Sequence, residues 1–428
     1  MTHGALALAA DAIAQLDHCN KCGFCLPACP TYVETGLEVH SPRGRLSLIE
    51  AAWRGELAVG QPLADALSLC VGCRACEVAC PSGVQYSIAL QAAQADLVRR
   101  RRRWVVSRAA VPPLLALVRH RRALKAAVRL GQAAKRIRLI PAPLAPLAAM
   151  LPPAAEAPSV LVPIPADSAG PAVHFVDTCV MDALFPTANQ HARALLSAGG
   201  AHLQAAHGPE GCCGALEAHT GHPEKAREMA RAHVVRWERD LPPDTWIVAH
   251  AGGCAAMMAD YGRLLADDPR WAGPARRWAG QVRDWAAACM ALPHALAFRG
   301  TGARVALQNS CHAVSALGQG AAPAELLARV AGDQLVTLPG QDRCCGAGGV
   351  YNLNQPAMAQ QILRRHLDEA AAADVDVWVA TNPGCALHLG QGVRATAGRA
   401  AVVHLATYLH ERWQADPPAP PDSARRPG

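Results

Sequence analysis

The sequence predicts an α+β multidomain chain: a helical N-terminal domain built around two cysteine loops, followed by two duplicated α/β domains. Three observations predict it. Two short runs near the start, Cys19 to Cys29 and Cys70 to Cys80, repeat one cysteine spacing. From residue 171 onward, short apolar strands alternate with helices, the order that gives a mainly parallel sheet. The second of these α/β stretches then repeats the first at matched cysteine intervals, which marks a duplicated domain and not a solenoid.

The first run reads Cys19-Asn-Lys-Cys22-Gly-Phe-Cys25-Leu-Pro-Ala-Cys29-Pro30, and the second Cys70-Val-Gly-Cys73-Arg-Ala-Cys76-Glu-Val-Ala-Cys80-Pro81. Both follow C-x2-C-x2-C-x3-C-P, the spacing that holds [4Fe–4S] cubanes in two-cluster ferredoxins. Three close cysteines wrap one cube, and the fourth, before proline, ligates the other. Ligation is therefore expected to cross: Cys19, Cys22, Cys25 and Cys80 on one cluster, Cys70, Cys73, Cys76 and Cys29 on the other. A pair of structural zinc sites is the competing reading, but zinc sites pair one C-x2-4-C with a distant second pair. This ferredoxin-type domain is placed at 1–98, with helices over 1–18, 46–60 and 87–103. Arg43 and Arg45, between the runs, are read first as solvated side chains, with stabilisation of an anionic cluster as the alternative.

Composition bounds the rest. With 428 residues, 51% of them apolar, the chain can bury cores for two to four domains. Seventeen cysteines at metal-ligand spacings point to a reducing, cytoplasmic compartment instead of a disulfide scaffold. Residues 1–14 lack a basic start and carry Asp11, so no signal peptide is expected. No apolar run is long enough to span a bilayer. The net charge of +7 is local: fourteen of the 41 Lys and Arg lie in 99–138, which has no Asp or Glu, leaving 27 basic against 34 acidic residues elsewhere. This connector, 99–168, opens with Arg99 to Arg103, continues with helical pieces over 114–130 and 133–139, and ends Pro/Ala-rich. It reads either as a basic amphipathic surface for anionic lipid or an acidic partner, placing the chain peripherally on the cytoplasmic face of the inner membrane, or as a plain solvated linker. Nucleic acid is not an expected partner, since no aromatic interleaving or binding motif accompanies the charge.

The α/β domains are placed at 169–300 and 301–412, with a disordered Pro-rich tail over 413–428. In the first, strands are expected at 173–178, 202–206 and 246–250, and helices at 189–198 and 217–239. Cys179 to Cys212 and Cys311 to Cys344 both span 33 positions; Cys213 to Cys254 spans 41, and Cys345 to Cys385 spans 40. Each lone cysteine is expected to end a strand, each pair continues as Cys-Cys-Gly, and each final cysteine follows a strand through a glycine turn. Thiols at the C-terminal ends of parallel strands converge on the crevice where such folds bind ligands. Soft thiolates select iron–sulfur clusters or zinc, so Cys179, Cys212, Cys213, Cys254, Cys311, Cys344, Cys345 and Cys385 are candidates for a further cluster or a thiol redox site. Cys289 has no counterpart and is read as structural.

The spacing C-x32-CCG-x39-40-C resembles the cysteine-rich CCG domain of heterodisulfide reductases and lactate-utilisation proteins. The whole order, two-cluster ferredoxin, basic connector and two CCG domains, resembles the family of glycolate oxidase (glycolate dehydrogenase) iron–sulfur subunits. Cys25-Leu-Pro-Ala-Cys29-Pro-Thr-Tyr32, Pro42-Arg-Gly-Arg45, Cys80-Pro-Ser-Gly-Val84, Gly253-Cys254-Ala-Ala-Met257 and Gly384-Cys385-Ala-Leu-His388 carry the likeness, which covers about 15–410. It implies an electron-transfer subunit of an oxidoreductase acting on CH–OH donors, glycolate or D-lactate. An FAD-containing dehydrogenase subunit would be the partner and a quinone or other carrier the acceptor. Heterodisulfide reductase repeats end in C-x2-C; here Met257 and His388 take the last position, which disfavours that family's noncubane cluster; His388 and His312 are read first as capping or core residues, with ligation as the alternative. A thiol/disulfide enzyme and an iron–sulfur subunit of an anaerobic glycerol-3-phosphate dehydrogenase are the competing functions. The chain has no G-x-G-x-x-G after a strand and no P-loop: Gly346-Ala-Gly348-Gly349 follows a cysteine pair. No catalytic residue is assigned, and the flavin is expected only on the partner.

Overall fold

The computed structural model describes residues 5–100, 111–137, 140, 148, 151, 170–207 and 211–414. In the N-terminal part, helices Ala10–Asp17, Pro42–Trp53, Gln61–Ser68 and Tyr86–Arg100 bury Leu16, Leu46, Ile49, Leu67, Tyr86 and Leu90 against one another. Ser41 starts the second of these. Its Oγ accepts from the Gly44 N–H at 2.9 Å, and Pro42 occupies the first turn, where a missing N–H costs nothing. Gly44 is required there, because a Cβ would sit 1.9 Å from the Glu38 carbonyl oxygen. This tight start turns the next side chain, Arg45, inward. The sequence pattern placed Arg45 in solvent; it is instead completely buried, while Arg43 is half-exposed and paired with Glu38 at 2.7 Å.

The α/β half contains two four-stranded, all-parallel sheets. The strands are β1 (Ala172–Phe175), β2 (His202–Gln204), β3 (Trp246–Ala249), β4 (Val282–Asp284), β5 (Phe298–Arg299), β6 (Arg304–Gln308), β7 (Val330–Ala331), β8 (Gln334–Val336), β9 (Val377–Ala380) and β10 (Ala401–His404). The orders are β2-β1-β3-β4 and β8-β6-β9-β10, so the duplication extends to topology. β5 and β7 form a small separate pair. Both sheets reverse strand order between the first and third strands of the repeat, β1/β3 and β6/β9, the switch point that opens a crevice at the C-terminal strand ends. Val173, Phe175 and Val248 share one buried core with Val305, Leu307 and Val379, so the two repeats stand back to back as one body. The repeats approach closely where Gly252 meets Ser310: a Cβ on Gly252 would lie 2.1 Å from the Ser310 Oγ. Gly252 precedes Cys254 and Ser310 precedes Cys311, so this contact brings the two cysteine sets together.

Several expectations are corrected. The single helix over 217–239 is two, Ala215–His219 and Pro223–Asp240, because Gly221 is left-handed and Pro223 has no N–H to continue the ladder. The lone cysteines do not end strands; Cys179 and Cys311 open the helices Cys179–Leu184 and Cys311–Ser315. The connector helices are Val111–Arg119 and Arg121–Arg136, broken at His120. The tail does not begin at 413: Trp413 bridges to Phe298 and the Gln414 N–H donates to the Ala297 carbonyl at 3.0 Å. Arg101 to Arg103, the Pro/Ala-rich end of the connector and residues 415–428 lie outside the described residues. Among the described residues no helix is long and apolar enough to cross a membrane.

Gly252→Ala is expected to lower stability to chemical denaturation by about 1–3 kcal/mol through overpacking. Gly280→Ala, whose Cβ meets nothing within 4 Å, will be neutral or stabilise by about 0.5 kcal/mol. Equal denaturation midpoints for the two variants would mean the repeats do not meet tightly at Gly252.

Candidate metal centre

The two cysteine runs fold into the same loop. The residue before the second cysteine and the residue after it are both left-handed in each run: Lys21 (φ 57°) and Gly23 (φ 91°), Gly72 (φ 77°) and Arg74 (φ 62°). Such a reversal turns backbone N–H groups toward the thiols. The Gly72 N–H points at the Cys70 Sγ and the Val84 N–H at the Cys80 Sγ, each at 3.4 Å. Cys19, Cys22 and Cys25 line a small surface cavity together with Cys80 and the edge of Cys76. Cys29 leaves its own run and lines a second cavity with Cys70, Cys73 and Cys76. The outer site lies near solvent, with Cys22 exposed and Phe24 and Val78 uncovered beside the loops. The inner site is closed: Cys29, Cys73 and Cys76 are buried. Burial pushes the Cys25, Cys70 and Cys76 thiols up from their ordinary range, so these groups become thiolates only with a compensating cation or metal.

The inner cavity, about 970 Å³, does not end at the ferredoxin-type part. It continues between the α/β repeats and is lined by all eight of their candidate cysteines. In the first repeat, Cys212 is held below the usual thiol range because Cys179, then Cys213, donates to it; Cys179 is correspondingly raised. In the second, the Cys345 and Cys385 sulfurs are 2.7 Å apart. Cys344 lines the cavity beside Cys311 of its own repeat and Cys73 of the inner site, close enough for each to shift its ionisation, so the two sets adjoin there. No three of the described His, Cys, Asp and Glu side chains close on the volume of a single metal ion; each set lines a wider space. Among the described residues, the cavity wall carries thiols, Arg45, Arg74, His219, His222 and His312, and no carboxylate. A donor set dominated by soft thiols beside cations fits thiolate-bound iron–sulfur groups. None of the seventeen cysteines is in a disulfide.

The comparisons agree with this layout. Residues 15–84 match the 4Fe-4S dicluster domain, and residues 173–259 and 305–390 each match the cysteine-rich CCG domain. The chain is 32% identical over 422 residues to the probable glycolate oxidase iron-sulfur subunit of Bacillus subtilis (strain 168), covering 93% of this chain and 94% of that relative. The chain belongs to the glycolate oxidase iron–sulfur subunit family. A second relative of that description, from Escherichia coli (strain K12), is 29% identical over 411 residues, covering 94% of this chain and 95% of its own. Lactate utilization protein A of Shouchella clausii is 27% identical over 241 residues, which is 55% of this chain and 97% of that protein.

Within this family member, several groups around the cysteines had no sequence signal of their own. His233 and His366 lie on the long helices Pro223–Asp240 and Pro356–Ala372, one per repeat. Each directs Nε2 at the carbonyl of the first cysteine of a pair, Cys212 at 3.3 Å and Cys344 at 3.0 Å. A carbonyl only accepts, so both rings carry the proton on Nε2. The Tyr261 hydroxyl donates to the Cys213 carbonyl at 2.9 Å. These bonds orient the Cys-Cys turns; the repeat of His at 21 or 22 positions after the first cysteine of the pair was the available clue. His388 takes the core role and not the ligand role: it is buried away from the cavity, donating to the Ala359 carbonyl at 3.3 Å. Met257 packs in the first repeat's core, and Cys289 is buried in the core the repeats share. His312 does line the cavity, its Nδ1 3.9 Å from the Cys311 Sγ.

The connector helices close the cavity. Val118, Leu124 and Val128 are buried against Cys179 and Cys212. Their basic face is partly neutralised within the chain: Arg121 pairs with Asp182, Lys125 pairs with the same carboxylate at 2.8 Å, and Arg119 approaches the buried Glu217 at 3.5 Å. Asp182→Asn should weaken this docking by about 1–3 kcal/mol, between exposed and buried pairs. The expected readout is faster tryptic cleavage within 119–138, reproduced in part by high salt in the unsubstituted chain. An unchanged cleavage rate would show that apolar contacts alone seat the helices.

Proposed function

We propose that this chain carries electrons for a flavin-dependent 2-hydroxy-acid dehydrogenase complex, oxidising glycolate to glyoxylate. D-lactate is the second substrate class, in keeping with the lactate-utilization relatives. The observation that carries the reading is the continuity of thiol sites from a solvent-facing loop, through a buried one, to the paired repeats, with Cys73 against Cys344. Cys19, Cys22, Cys25 and Cys80 hold the outer [4Fe–4S] cluster, and Cys29, Cys70, Cys73 and Cys76 the inner one. Cubanes supply one-electron transfer when bound. This chain's residues would shield the inner one from water, aim N–H groups at their sulfurs, and set their spacing. The eight cysteines of the repeats form a further iron–sulfur or redox site at the far end.

Electrons removed from the substrate at an FAD-containing partner subunit enter at the outer site, where Cys22 and Phe24 reach the surface. They leave through the repeats toward a quinone or other carrier. The apolar connector wall over Cys179 and Cys212 supports an apolar acceptor there. The complex is assigned to the cytoplasm, peripheral to the membrane, with the remaining exposed connector charge facing anionic lipid. A thiol/disulfide enzyme is the weaker reading, since Met257 and His388 stand in place of the extra cysteine and both are packed away from the cavity.

Co-purification without oxygen should give about eight irons per chain for the two cubanes, more if the repeats are loaded, with flavin on a second polypeptide. Cys22→Ser or Cys73→Ser should each remove one cubane signal and cut acceptor reduction by glycolate at least tenfold. An artificial dye reduced at the flavin should still turn over. Full acceptor reduction after loss of the inner signal would end the conduit reading, and zinc in place of iron and sulfide would replace it with a structural one.

A further inference from the structure

Arg45 is a permanently charged group with no exposure to solvent. A buried charge must be paired or it is strongly disfavoured. The other well-covered arginines obey this rule with carboxylates: Arg74 with Glu77, Arg121 with Asp182, Arg412 with Asp333. Arg45 pairs with no carboxylate among the described residues. Its Nε donates to the Ala66 carbonyl at 3.0 Å and its Nη2 to the Thr31 Oγ1 at 3.0 Å, both neutral acceptors. Its Nη1 faces the Cys29 Sγ at 4.0 Å, and it opens onto the cavity lined by Cys70, Cys73 and Cys76. Among the described residues, the inner-site thiols are the groups placed to supply the missing negative charge.

The outer site is arranged differently. Arg43 reaches the Lys21 carbonyl of the first loop at 3.0 Å, but Glu38 neutralises it at 2.7 Å and it stays half-exposed. One loop therefore has a compensated, solvent-screened cation and the other an uncompensated, desolvated one.

Resting on the two-cubane reading above, we propose that Arg45 is the built-in counter-charge of the inner cluster and raises its potential relative to the outer one, so that electrons run inward. The step moves one electron and no proton. It comes from the partner dehydrogenase by way of the outer site, makes and breaks no bond, and adds one negative charge to the four-thiolate site. Burial alone opposes that added charge, because a low dielectric disfavours it. A fixed cation a few ångströms away, in the same low dielectric, offsets the penalty where solvent cannot. The inner site is also the one that touches Cys344 of the repeats, so its potential governs delivery onward.

The test uses the full chain purified without oxygen, with each cluster's midpoint read by a redox titration followed by electron paramagnetic resonance. Arg45→Met should lower the reduced-to-oxidised ratio of the inner cluster at least tenfold at fixed potential, about 59 mV for a one-electron couple. Arg45→Lys, which keeps the charge without the fork, should stay within threefold of the unsubstituted chain. Arg43→Met should leave the inner midpoint unchanged. Loss of the inner cluster in Arg45→Met with retention in Arg45→Lys supports the proposal equally. Met and Lys variants that behave alike, whether both unchanged or both stripped of the cluster, overturn it and leave Arg45 a packing residue. If the unsubstituted chain shows no second [4Fe–4S] signal, the two-cubane reading fails first and this role falls with it.

Discussion

Thiol groups from both cysteine runs and both α/β repeats meet in one cavity whose wall, among the described residues, contains no carboxylate. The rest of the architecture follows from keeping them there. Burial pushes thiols such as Cys76 up from their ordinary range, so the cavity suits groups that bring their own positive charge. The protein's contribution is then geometric: to bring distant cysteines together, turn N–H groups toward sulfur, and exclude water.

Each layer of the fold serves that end by a different device. In the ferredoxin-type part, paired left-handed residues bend each loop so that three thiols face inward, while Cys29 and Cys80 cross to the opposite loop. In the α/β half, duplication places two switch-point crevices against each other, and the shared core behind them makes the pair rigid. Tyr351, donating to the Leu69 carbonyl at 3.0 Å, and Gln355, bonded to the Ser68 Oγ, seat the second repeat beside the inner cysteine loop. Arg365 pairs with Glu34 at 2.9 Å on the same side. The second repeat is thus the one tied most directly to the inner site, which agrees with the contact of Cys73 and Cys344.

The connector takes a role in this scheme that its composition conceals. As a string it is a basic run without acids. In the fold its apolar stripe is a lid over Cys179 and Cys212, and part of its charge is consumed by Asp182 and Glu217. Cation clusters of this kind are commonly assigned to lipid or partners; here part of that charge is used to hold the chain's own halves together.

The grouping of the cysteines was legible in the sequence because cluster chemistry constrains local spacing: three thiols must come from a short loop, so C-x2-C-x2-C survives as a pattern, and a duplicated domain repeats its intervals. The parallel sheets were legible for the same local reason, from alternating strands and helices. What had no local signature was decided by tertiary packing. The burial of Arg45 depends on Gly44 approaching the Glu38 backbone and on Thr31 and Ala66, 14 and 21 positions away. The orientation of the Cys-Cys turns depends on His233 and His366 from later helices. The exclusion of His388 depends on which way its helix faces. Sequence alone determined which atoms can bind metal, since that is a property of side-chain type and short spacing. Tertiary structure alone decided which of those sites lie next to one another and where a charge is cut off from water, since both are properties of distance between residues far apart in the chain.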